Sequence, residues 1–241
     1  FCRAEFFKPD SGLSPNQLSE MFSEIGARFE MSWKFIDPSI PHRTLMLVSK
    51  FDHCLNDLLY RKQTGELNIA VTTVASNHPD LEPLARFHQA PFEVLPTGQS
   101  KLATKAAQED RIRDLIDAHD VELVVLARYM QVLSDELCQE LAGRCINIHH
   151  SFLPSFKGAR PYHQAFERGV KAIGATAHYV TADLDEGPII DQEVARVDHT
   201  FGPDQLLATG RNMENYALSR AVKAHSEHRV FLNGHKTVVL K

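Results

Sequence analysis

The chain has 241 residues and a formal charge of −5, from 26 Lys and Arg against 31 Asp and Glu. Hydrophobic residues make up 43% and charged residues 24%, an ordinary globular balance that excludes a disordered chain. The acidic excess excludes nucleic-acid binding through bulk charge, and no apolar run reaches the roughly 20 residues that span a bilayer.

Phe1–Phe7 alternates apolar and polar residues and is expected to form a strand. Ser14 fits an N-cap, Pro15 the first helical position and Gln17 the third, a capping box. Leu18, Met21, Phe22, Ile25 and Phe29 follow at helical spacing, so one face is apolar, and Met31–Ile36 reads as a second strand. This unit of about 40 residues is too small to bury much core alone.

From Leu45 the pattern changes. Leu45-Met46-Leu47-Val48, Leu67–Ala75, Leu123-Val124-Val125-Leu126 and Cys145–Ile148 read as strands. The apolar runs are those of strands buried on both faces. Between them Leu55–Tyr60, Leu81–His88, Lys101–His119 and Asp135–Leu141 read as helices, with Pro91–Leu95 extended. Alternation of this kind predicts an α/β fold, a mostly parallel sheet with helices on both faces. A helix at Tyr162–Arg168, strands Thr176–Val180 and Ile189–Val197, and a long helix from Pro203 to about His225 follow. A terminal hairpin turns on Asn233-Gly234.

Cys2, Cys54, Cys138 and Cys145 form no C-x-x-C pair, and no secretory leader is visible. Reduced thiols and a cytoplasmic compartment are expected. The chain opens at Phe1 without Met, inside a predicted strand, so a preceding segment is expected.

Chemistry concentrates at three places. Asn147 and His149 point the same way at the end of their strand, an amide to donate to an oxyanion beside an imidazole to move a proton. Asp183-Leu184-Asp185-Glu186-Gly187-Pro188 predicts a tight turn whose carboxylate can orient an imidazole, or else an ordinary Asx turn. Val125–Leu133 runs from a buried strand into a mixed aromatic and aliphatic loop, either core or the wall of a slot for a flat ring. The thirteen histidines raise the question of a metal, but His149-His150, His163 and His178 are scattered. H-E-x-x-H is absent, and neighbouring His149 and His150 are expected to face opposite ways, so no metal site is expected. G-x-S-x-G, G-x-G-x-x-G and the P-loop pattern are also absent.

The blocks Ile146-Asn147-Ile148-His149-His150-Ser151-Phe152-Leu153-Pro154, Gly174–Thr181 and Leu184–Ile190 resemble the folate-dependent formyltransferase family, in order and from about Arg43 to the C-terminus. The resemblance implies an Asn147, His149 and Asp185 trio acting on the formyl group of 10-formyltetrahydrofolate. Ser49–Leu59, Ser76-Asn77-His78 and Arg160–Ala165 are most similar to the hydrolytic members of that family. Those members imply release of formate and tetrahydrofolate, a supply of formate for purine synthesis and a balanced one-carbon pool. Lys50-Phe51-Asp52 stands where amine-formylating members carry phosphate-approaching glycines. Transfer to an amine acceptor, a non-catalytic folate or amino-acid sensor and a metal-dependent hydrolase remain the alternatives.

By the same resemblance, Tyr129, Met130, Gln131, Val132 and Leu133 with Val180, Thr181 and Asp183 hold the pterin. Lys157, Arg160, Arg168 and Lys171 are candidates for the folate's glutamate carboxylates, against the plain alternative of a solvated face. No cofactor is implied beyond the folate substrate. Residues 1–40 resemble part of an ACT domain, a regulatory module that implies an amino-acid effector and a homo-oligomer, with the catalytic domain over residues 41–241.

Overall fold

The computed structural model describes residues 1–6, 12–95, 101–153 and 161–241. It divides into two compact units, Phe1–Pro41 and His42–Lys241.

In the first unit, helix α1 (Pro15–Arg28) begins as the sequence dictates. Ser14 Oγ accepts from the Gln17 backbone N–H, and the Gln17 side chain accepts from the Ser14 N–H. The expected strands at Phe1–Phe7 and Met31–Ile36 are not strands: residues 1–6 and 31–37 have no ladder partner among the described residues, and Phe7 lies outside them. Alternation alone makes an extended segment; only cross-strand hydrogen bonds make it a strand. Trp33 and Phe35 instead turn onto α1, edge to face with Phe22, and Trp33 Nε1 donates to Ser19 Oγ. Met21, Ile25 and Phe29, on the predicted apolar face, are exposed.

The second unit is built on seven strands: β1 (His42–Val48), β2 (Ile69–Ser76), β3 (Phe92–Val94), β4 (Leu123–Leu126), β5 (Cys145–His149), β6 (Ala172–Tyr179) and β7 (Ile189–Arg196). Their order is β3-β2-β1-β4-β5-β6-β7. The first five run parallel, while β6 and β7 are antiparallel to their neighbours. Among the described residues six α-helices accompany it: α2 (His53–Gln63), α3 (Glu82–Phe87), α4 (Lys101–Ala118), α5 (Asp135–Glu140), α6 (Pro161–Arg168) and α7 (Pro203–Ser226).

Side-chain alternation sorts the core into two layers. Met46 and Val48 of β1, with Val125, Ile146 and Ile148, pack against α2, α3 and α7. Leu45 and Leu47, with Val124, Leu126 and Cys145, pack against Ile112, Leu115 and Ile116 of α4 and against α5. Each fully buried Leu or Ile stabilises the fold by roughly 1.5–3 kcal/mol, so the two layers hold the sheet rigid beneath its rim.

The terminal hairpin pairs β8 (Val230–Asn233) with β9 (Lys236–Val239). Its loop is Gly234-His235, one residue later than expected: Asn233 pairs with Lys236, and Gly234 supplies the positive φ of +61°. All four cysteines are free, three of them buried. Among the described residues no helix is long and apolar enough to cross a membrane.

Candidate active site

Strand β5 lies where the sheet changes polarity, parallel to β4 and antiparallel to β6. Open α/β sheets place ligands beyond the carboxyl ends of their strands, and β5 ends on Asn147-Ile148-His149. Ile146 and Ile148 are anchored in the α2–α7 layer, which leaves Asn147 and His149 on the other side of the strand. The antiparallel register sets His178 of β6 opposite Asn147.

The turn between β6 and β7 carries Asp185 back over this point. Its backbone has φ +58°, a left-handed position that Asp tolerates better than most residues. Asp185 Oδ2 stands 3.2 Å from His149 Nδ1, and Oδ1 stands 3.7 Å from His178 Nε2. Asn147 Nδ2 lies 3.2 Å from His178 Nε2, and His178 Nδ1 lies 2.9 Å from the Tyr179 carbonyl. The structure therefore brings Asn147, His149 and Asp185 together from a strand end and a distant turn.

It also adds His178, which the sequence had left among scattered histidines. His178 Nδ1 can only donate to the Tyr179 carbonyl, so its Nε2 is free to accept from Asn147. That fixes the amide with its NH₂ toward His178 and one N–H to spare. His149 Nδ1 donates to Asp185, which leaves Nε2 as the proton acceptor; it now faces Ser151 Oγ at 3.0 Å. Gly187 makes the turn possible, since a Cβ there would overlap the Tyr179 carbonyl oxygen.

Electrostatics follow from these contacts. The His149 hydrogen bond first, then the neighbouring His178 imidazole, hold the Asp185 carboxyl well below the usual carboxylate range, against the opposing push of burial. His150 is pushed down to about 4, first by burial and then by the Arg128 charge, and is neutral at ordinary pH. The expectation that His149 and His150 face opposite ways is corrected: their ring centroids are 5.2 Å apart. His150 lies just past the last β5 residue, where strict strand alternation lapses.

The proposed pterin wall separates by exposure. Tyr129 and Leu133 are buried in the α4–α5 layer, while Met130, Gln131 and Val132 are exposed. The loop is pinned where the Met130 N–H donates to Ser49 Oγ, which itself donates to Asn77 Oδ1. Val180 packs against the same layer, and Thr181 Oγ1 donates to the Asp183 carbonyl, shaping the facing loop. Arg168 and Lys171 are exposed; Lys157 and Arg160 lie outside the described residues.

A second cluster, which sequence spacing did not reveal, surrounds Glu214 of α7. Its side chain is 2% exposed, and His53 Nε2 lies 2.8 Å from Oε2. The Tyr162 hydroxyl donates to Oε1 at 2.8 Å, and Arg128 Nε stands 3.4 Å from Oε2. Tyr162 fits because Gly210 leaves its ring room. Burial pushes the Glu214 carboxyl up, but His53, Arg128 and Tyr162 together hold it below its usual value. Arg128 sits at φ +65°, a strained conformation for a residue with a Cβ, costing about 1–2 kcal/mol. Its guanidinium lies 5.0 Å from the Phe51 ring centroid. His53, Cys54 and Glu214 converge closely enough to hold a metal ion, but Arg128 already supplies the positive charge there.

Comparison with known proteins gives a consistent set of likenesses. Residues 42–222 match the formyl transferase family model. The chain is 53% identical to a formyltetrahydrofolate deformylase of Corynebacterium sp. (strain P-1), over all of this chain and 83% of that one. It is similar to the crystal structure of formyltetrahydrofolate deformylase from Burkholderia mallei, at 53% identity and TM-score 0.88, covering 96% of this chain and 81% of the other. It is also similar to glycinamide ribonucleotide transformylase 1 from Symbiobacterium toebii, at 30% identity and TM-score 0.76, covering 87% and 98%.

Proposed function

The chain belongs to the formyl transferase family, and we propose that it is the enzyme that hydrolyses 10-formyltetrahydrofolate to formate and tetrahydrofolate. The observation that carries the chemistry is the linked set of Asp185, His149, His178 and Asn147 at the polarity switch of the sheet.

The reaction needs a nucleophilic water, a donor for the oxyanion and a proton for N10. His149 Nε2 takes the proton from water as the water oxygen bonds to the formyl carbon, and Asp185 stabilises the imidazolium that results. Asn147 donates its spare N–H to the oxyanion. When the C–N10 bond breaks, N10 departs with its electron pair and the proton from His149. The alternative of a sensor without turnover is disfavoured by Asp185, placed 3.2 Å from His149 Nδ1 to hold a working imidazole, and by the likeness to formyltetrahydrofolate deformylases.

The pterin lies between residues 129–133 and the loop of Val180, Thr181 and Asp183, met by the exposed Met130 and Val132 and by backbone groups. The formate supplies purine synthesis in the cytoplasm and the reaction restores free tetrahydrofolate. Residues 1–40 act as an ACT-type module for an amino-acid effector, and the exposed Met21, Ile25 and Phe29 suit pairing in a homo-oligomer.

Incubation with 10-formyltetrahydrofolate alone tests the reading. Formate and tetrahydrofolate are expected in equal amounts without any amine; no formate under these conditions would overturn it.

A further inference from the structure

The Glu214 cluster is joined to the catalytic trio through His150. The His150 ring is 5.2 Å from that of His149 and 6.5 Å from that of Tyr162, centroid to centroid, and Tyr162 donates to Glu214. Two carboxylates therefore flank this end of the sheet. Asp185 serves the imidazole. Glu214 is one that an incoming amine would find attractive, because a buried carboxylate demands a cation.

The chain supplies that cation itself. Arg128 reaches Glu214 from a left-handed backbone position directly before the loop of residues 129–133. Strain of this kind persists where the surroundings over-determine it. Here Phe51 covers the guanidinium and Glu214 draws it. The Arg128 Nε is buried and makes no hydrogen bond among the described residues, so it is held there by charge and packing.

We infer that the Arg128–Glu214 pair, capped by Phe51, is a built-in substitute for an amine acceptor and leaves water as the only nucleophile that reaches the formyl carbon. The inference rests on the hydrolytic reading above and names the residues that set the acceptor. Where Arg128 is removed, Glu214 keeps His53 and Tyr162 but loses its guanidinium partner, and the space Arg128 filled can hold a small primary ammonium beside His150. After that ammonium loses a proton to solvent, the nitrogen lone pair forms the new C–N bond. N10 leaves with the electrons of the old bond, and one proton passes from the acceptor nitrogen to N10. No redox change occurs.

The test compares the native chain with Arg128→Gly and Arg128→Asn, two residues suited to a positive φ. Each is given 10-formyltetrahydrofolate with increasing glycinamide, and formate, N-formylglycinamide and tetrahydrofolate are measured. The native chain is expected to give formate equal to tetrahydrofolate at every glycinamide concentration. The variants are expected to give N-formylglycinamide in a share that rises with the amine, at least tenfold above the native background. Glu214→Gln added to either variant should abolish that product, a response that a merely structural role would not produce. A folded Arg128 variant that makes only formate, or makes no product and shows no glycinamide binding by calorimetry, overturns the inference. Should both variants fail to fold, Phe51→Ala must give the N-formyl product, and formate alone from it is equally decisive. Absence of formate from the native chain is a different result, since it removes the hydrolytic reading itself.

Discussion

Asp185 places one carboxylate oxygen 3.2 Å from His149 Nδ1 and the other 3.7 Å from His178 Nε2, so a single turn residue orients His149 and sets its negative charge beside both imidazoles of the site. Asp185→Asn keeps the shape and removes the charge. Formate release should fall roughly 10²–10⁴-fold, the range for loss of acid–base function. Because the native carboxyl has a depressed pKa, its stabilising effect is present above the unfolded value of 3.8 and is lost as pH falls below it. The stability difference between native and variant, read from urea unfolding, should therefore be the same at pH 6 and pH 8.

Asn147 lies 3.2 Å from His178, is the oxyanion donor of the proposed mechanism, and sits half-buried at a strand end, so its truncation spares the core. Asn147→Ala should lower kcat roughly 10²–10³-fold with little change in KM. Steady-state kinetics alongside a circular dichroism melt check both halves. A large rise in KM with kcat preserved would show that the amide binds substrate instead.

Gly187 touches the Tyr179 carbonyl, the group that receives the His178 Nδ1 hydrogen. Gly187→Ala must move that carbonyl or the turn carrying Asp185. Stability should drop by about 1–3 kcal/mol, as in other overpacked sites, and kcat should fall at least tenfold. Thermal unfolding and formate release, measured on the same sample, decide this.

His150 has its pKa lowered from 6.5 to about 4, chiefly by burial. The unfolded chain takes up this proton more readily than the folded one. Stability is therefore highest above pH 6.5 and declines on acidification until about pH 4. At about 1.4 kcal/mol per pKa unit the loss is at most about 3 kcal/mol. In urea titrations from pH 7.5 to 4.5, His150→Gln should weaken the decline; an identical slope would place the effect on other groups.

What could be read in the sequence was mostly local. The capping box of Ser14 and Gln17 is a four-residue device, and the pairing of Asn147 with His149 follows from the two-residue period of a strand. The apolar runs at Leu45–Val48 and Leu123–Leu126 announced a sheet covered on both faces. His178 stayed hidden because its partner lies across an antiparallel register, which no single-strand pattern encodes. The Glu214 cluster draws His53, Arg128, Tyr162 and Glu214 from four separate stretches, so only packing reveals it. The segments around Phe1 and Met31 misled for a related reason: alternation describes a chain's shape and says nothing of its ladder partners.

The reversed course of β6 has a consequence for how such a scaffold can diversify. Asn147 and His178 face each other through backbone pairing of two strands, whereas His53, Tyr162 and Glu214 stand on helices α2, α6 and α7 and Arg128 on the turn after β4. Recasting that second group alters what meets the incoming molecule while the zipped pair keeps its spacing. The reaction chemistry and the choice of acceptor are thus housed in separable parts of one scaffold.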